Sequence, residues 1–420
     1  MKKLTLFCLA ALVFGGTVFA AAKADSGTTL RFSWWGGDSR HQATLKVIEL
    51  YQQKNPGVKI EAEYGGWDGY REKLVTQIAG GTAPDIMQID QPWLFELSSM
   101  GEVFLTIDSS VPIDTSKFDK NFLNSYCLFQ NQVKGLPTGL NGETFLVNTA
   151  LLRKAGVDPN TEWNWDNLFT EGKKVSALGP RNYLLAIDPA LTRFLFQKYM
   201  NQIAGGMIDE NKNILFTEQQ AASALTLFKR LLDEKVLIPY SDSSLYYQKP
   251  EENPEWINGN LALMHAWVSN QDRSGAGVPG LTIKSLPVMP NAKDSGILVR
   301  PSQILTINKN SKNTAAAAKF VDFFFNDPEA AEILNIQRGI PPTSTARELL
   351  ASKKLIAPLV EEGTNVALAH MGKPQTVWEM NTEIVDILED CIGKMAFGQT
   401  SPAQAAKEMR DRIATKLASL

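Results

Sequence analysis

The stretch TLRFSWWGGDSRHQATLKVIELYQQKNPGVKIEAEY, residues 29–64, is written as a strand, a helix and a second strand. Thr29 to Trp34 is short and runs into Gly36-Gly37. From about Ser39 to Lys54, Ala43, Val47, Leu50 and Tyr51 make an apolar stripe at helical spacing, which Asn55-Pro56-Gly57 stops. Val58 to Tyr64 is the second strand. The alternation continues with a helix from about Asp68 to Ala79, a Gly80-Gly-Thr-Ala-Pro84 loop and a third strand from Asp85 to Asp90. Pro92 then opens another helix, at a position where its missing N–H costs nothing. Strict alternation predicts an α/β fold with a parallel sheet covered on both faces. The carboxyl ends of its strands share one edge, where open α/β sheets bind ligands.

That edge is rich in rings and hydrogen-bonding groups. Trp34, Trp35, Asp38, Arg40 and His41 follow the first strand, Trp67, Asp68 and Tyr70 the second, and Asp90, Gln91 and Trp93 the third. A pyranose packs its C–H face on an aromatic ring, and its hydroxyl rim needs fixed donors and acceptors. The pattern therefore predicts a carbohydrate site. The competing reading of each tryptophan is a core residue.

The 420 residues exceed one compact core and suit two or three domains. A formal charge of −3 offers no basic face for nucleic acid. Three histidines and three cysteines leave little material for a zinc site or a disulfide scaffold, so neither metal nor cofactor is expected. No Gly-x-Ser-x-Gly elbow, His-Glu-x-x-His or phosphate loop is present. An exported glycosidase or lyase stands as the rival class, since carboxylates such as Glu61 and Glu63 are plentiful. His265, in an apolar strand, and His370 read as structural.

Lys2-Lys3, an apolar run from Leu4 to Ala22 and the small residues after it predict a signal peptide over residues 1–24, cut after Ala20 or Ala24. Cys8 lies inside the apolar run rather than at its end, which points to a freely soluble periplasmic protein without a lipid anchor. Cys127 and Cys391 remain, as two buried thiols or as a bridge. Further along, Thr217 and Gln220 form a capping box. Leu261 to Trp267 is a strand ending in an aromatic beside Asn270 and Gln271. No linker separates domains, so the chain is expected to cross between them more than once.

These motifs together resemble the sugar-binding family 1 extracellular solute-binding proteins of ABC importers. The resemblance rests on Phe32-Ser-Trp-Trp-Gly36, Ala79-Gly-Gly-Thr-Ala-Pro-Asp85, Gly135-Leu-Pro137, Asn148 to Gly156, Asn258 to Met264 and Gly339-Ile-Pro341. Val147 departs from the tyrosine usual there. The family implies a two-lobed, type II-like periplasmic-binding-protein clamp with hinge strands and an interlobe cleft. Residues 25–140 plus 300–337 would form the first lobe, and 141–299 plus 338–420 the second. By position, Trp35, Asp38, Arg40, Trp67, Asp90, Gln91, Trp93 and Asn141 match ligand-contacting loops. On the second lobe Trp267 and Trp378 are candidates, and Arg193 and Arg300 are further ones. A monomer delivering sugar to inner-membrane permease subunits is implied. Trp34 to His41 and Asp85 to Trp93 most resemble the oligogalacturonide-binding branch, where an arginine fork suits a uronate. Neutral oligosaccharides are the alternative.

Overall fold

The first strand, β1 (Thr28–Trp35), buries Leu30, Phe32 and Trp34 on one face and pairs in parallel with β2 (Val58–Gly65) and β3 (Ile86–Ile89). Helices α1 (Asp38–Lys54) and α2 (Tyr70–Ala79) make the connections, as the alternation requires. β3 is buried along its whole length, which is why Ile86-Met-Gln-Ile89 lacks an exposed polar face. The computed structural model describes residues 27–186, 189–246, 250–275 and 277–420; the signal segment expected over 1–24 lies outside the described residues.

Beyond α3 (Gln91–Ser99) come a small hairpin of β4 (Leu128–Phe129) and β5 (Gln132–Val133), then β6 (Leu136–Pro137) and β7 (Leu140–Asn148). β8 (Tyr183–Leu185), β9 (Leu261–Trp267) and β10 (Leu281–Lys284) follow, and β11 (Val299–Pro301) and β12 (Ile304–Ile307) close the strand list. The first sheet has the order β2-β1-β3-β12-β6, the second β10-β7-β9-β8, with β11 paired to β7. β12 is antiparallel to β3, so the first sheet is mixed rather than all parallel. The reason is direction: β1 to β3 run toward the second lobe, and β12 enters from that lobe and runs away from it.

Each sheet has its own core. In the first lobe Phe32 meets Phe324 edge-to-face at 6.2 Å, and Val47, Tyr51 and Phe320 fill the same interior. In the second, Phe228, Leu388, Met409 and Ile413 join three helices, Glu218–Asp233, Thr382–Ala396 and Pro402–Ser419. Capping boxes start two of these helices at Thr217 and Ser401, each such cap stabilising its helix by about 1 kcal/mol. Cys127 sits in the first core and Cys391 in the second; both are free, so no bridge joins them. No described helix is long and apolar enough to cross a membrane.

Three segments run side by side at the boundary between the lobes, near residues 139, 302 and 339. Ser302 N donates to Gly139 O at 2.8 Å, and Leu140 N to Ile340 O at 2.9 Å. A Cβ on Gly139 would strike the Arg338 carbonyl, and one on Gly339, at φ +101°, would strike Ser302 Oγ. Glycine here is a requirement of close approach. After residue 339 the chain does not pass to the second lobe, as expected from residue 338; it makes its third crossing only between residues 352 and 358. Ser344 N donates to Lys117 O at 2.9 Å, and the helix Ser344–Ser352 packs on the first lobe's helices Thr314–Asn326 and Pro328–Leu334. The next helix, Pro358–Ala369, lies on β7 and β10. Arg338 explains the delay. It is buried among Phe32, Trp34 and Phe324, donates to Gln88 and Thr44, and anchors the returning chain to the first core.

Candidate functional site

β9 alternates its side chains, so His265 and Trp267 lie on one face at the strand's end. They wall a pocket of about 330 Å³ together with Arg193, Phe194, Asn270 and Arg300. Arg300 comes from β11, opposite Asn141 of β7. Its guanidinium carbon lies 4.6 Å from the Trp267 ring centroid. Among the described residues it has neither an ion-pair nor a hydrogen-bond partner, and it is exposed to the pocket. Arg193 differs. Its Nε donates to Glu389 at 2.9 Å and its Nη1 to Gln197 at 3.2 Å, with its plane over Phe194. Its charge is therefore already compensated.

Beneath this wall lies a sealed charge cluster. Glu143, on β7, meets Lys198 at 2.6 Å and His265 Nε2 at 3.2 Å, and it accepts the Leu298 N–H at 3.0 Å. Burial alone would raise the Glu143 pKa, but Lys198 and His265 outweigh it and hold the group at about 2.

On the first lobe the three strand ends do converge. Trp35 lies 5.1 Å from Trp67, 5.0 Å from Tyr70 and 5.4 Å from Trp93, and Trp67 stacks on Trp93 at 5.3 Å. Trp35 and Trp93 are buried by these contacts, whereas Trp67 keeps 52 % of its surface exposed. Trp34, one residue away, points into the core and donates to His41 Nδ1 at 3.0 Å. Asp90 caps α3 by accepting the Gln91 N–H at 3.0 Å, and burial raises its pKa. Asp38 is exposed in the first turn of α1. Arg40 folds back across Gly36 and donates to the carbonyls of Gln337, at 3.2 Å, and Trp35, at 3.4 Å. It thus ties the start of α1 to the hinge segment near residue 339.

Between the lobes, Asp90, Gln91, Asn141, Arg300, Gln375 and Met380 line a second pocket of about 340 Å³. Asn141 exchanges hydrogen bonds with Ser269 and is fixed there. Gln91, Pro92, Gln375 and Met380 also border a third pocket of about 680 Å³. The second and third pockets share these four residues and the first meets the second at Arg300, so the three follow one another as a groove from Trp267 past the hinge to Val377. Trp35, Trp67 and Trp93 wall none of the three. Neither does Trp378. Its ring packs on the second core under Lys212, and its Nε1 donates to Glu210 O at 3.1 Å, because the turn aims its neighbours Val377 and Met380 at the groove instead.

Sequence reading missed several wall residues. The two-residue period of β9 was sufficient to pair His265 with Trp267. Phe194, Gln375, Val377 and Met380 carry no local signal, since only packing of distant segments brings them to the groove.

Comparison with known proteins gives one consistent result. The profile described as bacterial extracellular solute-binding protein matches residues 37–331. A periplasmic oligogalacturonide-binding protein from Yersinia enterocolitica shares 30% identity over 93% of this chain and 99% of its own, with a TM-score of 0.76. A periplasmic solute-binding protein from Pectobacterium atrosepticum has the same identity and coverage, with a TM-score of 0.70. The arabinooligosaccharide-binding protein of Bacillus subtilis is 23% identical over 81% of both chains. The chain belongs to the bacterial extracellular solute-binding protein family, and it is a binding protein rather than an enzyme.

Proposed function

We propose that this protein captures an acidic oligosaccharide, an oligogalacturonide, and delivers it to the permease of an ABC importer when the lobes close on it. The observation that carries the reading is the uncompensated Arg300 guanidinium lying on the Trp267 ring. A uronate ring offers an apolar C–H face for the indole and a carboxylate for the planar fork. The groove is several pockets long, which suits a chain of sugars better than a single ring. The Yersinia and Bacillus relatives, named as binders of oligogalacturonide and arabinooligosaccharide, support the class.

The mechanism is closure. Asp90, Gln91 and Pro92 face Gln375 and Met380 across the groove, with the segments near residues 139, 302 and 339 as the hinge. A ligand touching both walls binds the closed state more tightly and shifts the equilibrium toward it. The closed monomer then presents one surface made of both lobes to the membrane partner. We place this action in the periplasm, after removal of residues 1–24.

Calorimetry with trigalacturonate and a neutral trisaccharide of matching linkage tests the reading. Trigalacturonate is expected to bind, more weakly as salt rises. Tighter binding of the neutral trisaccharide would overturn the acidic assignment.

A further inference from the structure

The two ends of the groove differ in charge. At the Trp267 end stands Arg300, free to pair, on a wall that also holds Arg193 and Glu251. At the other end the walls include Asp209, Glu210, Asp294 and Glu379, against the single cation Lys373. Backbone N–H groups hold three of these carboxylates. Asp209 accepts from Asn211 and Asn213, Asp294 from Gly296 and Lys373, and Glu379 from Met207 and Thr376. None of the four has a salt-bridge partner among the described residues; Glu379 is buried, while Asp209, Glu210 and Asp294 reach solvent at the groove wall. The same end is apolar. Phe95, Leu215, Val377 and Met380 all wall it and are among the exposed large hydrophobic side chains.

A free uronate entering there would meet repulsion and no donor fork, while an apolar group would find cover. From this we infer that the far end takes a methyl-esterified galacturonate ring, while the Arg300 end takes a free one. The inference rests on the acidic-oligosaccharide reading and adds a direction and a masked carboxyl to it. Esterification removes the charge and supplies a methyl to bury beside Val377 and Met380. The ligand class is a partly esterified oligogalacturonide bound in one orientation.

The test uses trigalacturonates methylated singly at either terminal ring, the unmodified acid and the fully esterified trimer, titrated calorimetrically into the mature protein. One terminal monoester is expected to bind about fivefold to tenfold more tightly than the free acid, from methyl burial and relief of repulsion. The other monoester, which masks the carboxylate at Arg300, is expected to bind more weakly than the free acid. Glu210→Lys is expected to bring the free acid level with the favoured monoester. Glu210 is exposed and its side chain makes no hydrogen bond or salt bridge among the described residues, so the fold is kept. Free acid binding more tightly than both monoesters would overturn the inference and leave the acidic reading standing. Tightest binding by the fully esterified trimer, or binding of neutral sugars alone, would remove both.

Discussion

Lys198 Nζ lies 2.6 Å from Glu143 Oε2, and both side chains are sealed from solvent. The pair ties the helix Pro189–Ala204 to β7, two residues from Asn141 at the hinge. Leu298 N–H and His265 complete the carboxylate's bonding, so the charge is buried without being stranded. Removing one partner strands the other. Glu143→Ala is expected to cost about 3–5 kcal/mol of unfolding free energy, measured by urea denaturation. The double change Glu143→Leu with Lys198→Met is expected to recover most of it, and equal loss in both would contradict the pairing.

The same carboxyl sets an acid response. Its folded pKa, about 2, is below the ordinary value of 4.5, so its stabilising contribution is complete above pH 4.5 and is lost as pH falls toward 2. Urea midpoints measured from pH 5 to pH 2.5 should therefore fall more steeply in the native protein than in Glu143→Gln.

Trp267 and Arg300 should act together on ligand. Trp267→Ala is expected to weaken trigalacturonate binding by about 1–3 kcal/mol through lost ring contact. Arg300→Lys should not restore what Arg300→Ala loses, since an ammonium lacks the planar fork and stacks poorly. Calorimetric affinities that leave Arg300→Lys at the native level would disprove the fork.

Neighbouring tryptophans should part ways. Trp35 packs on three rings in the first core, so Trp35→Ala is expected to cost about 3–5 kcal/mol of stability. Trp67, half exposed, should cost under about 1 kcal/mol on removal. Thermal melts of the two variants check both statements.

At the hinge, Gly339→Ala is expected to destabilise by about 1–3 kcal/mol, because φ +101° and the approach of Ser302 Oγ both exclude a Cβ. Scattering profiles with and without ligand would show whether closure suffers as well; an unchanged melting temperature would argue against the tight approach.

Local sequence determined the elements themselves. The helical spacing of Val47 and Tyr51, the stop at Pro56, the caps at Asp90, Thr217 and Ser401 and the gathering of Trp35, Trp67 and Trp93 at three strand ends follow from periodicity and capping chemistry. These act within a few residues, so they are legible along a chain. Tertiary structure alone decided the rest: that the tryptophans spend their faces on one another, that Arg40 serves the hinge while Arg300 stays free, that residues 344–352 rest on the first lobe, and that Val377 and Met380 face Pro92. Each depends on which distant groups compete for the same ring, charge or surface, and that competition exists only once the chain has crossed between its two cores three times.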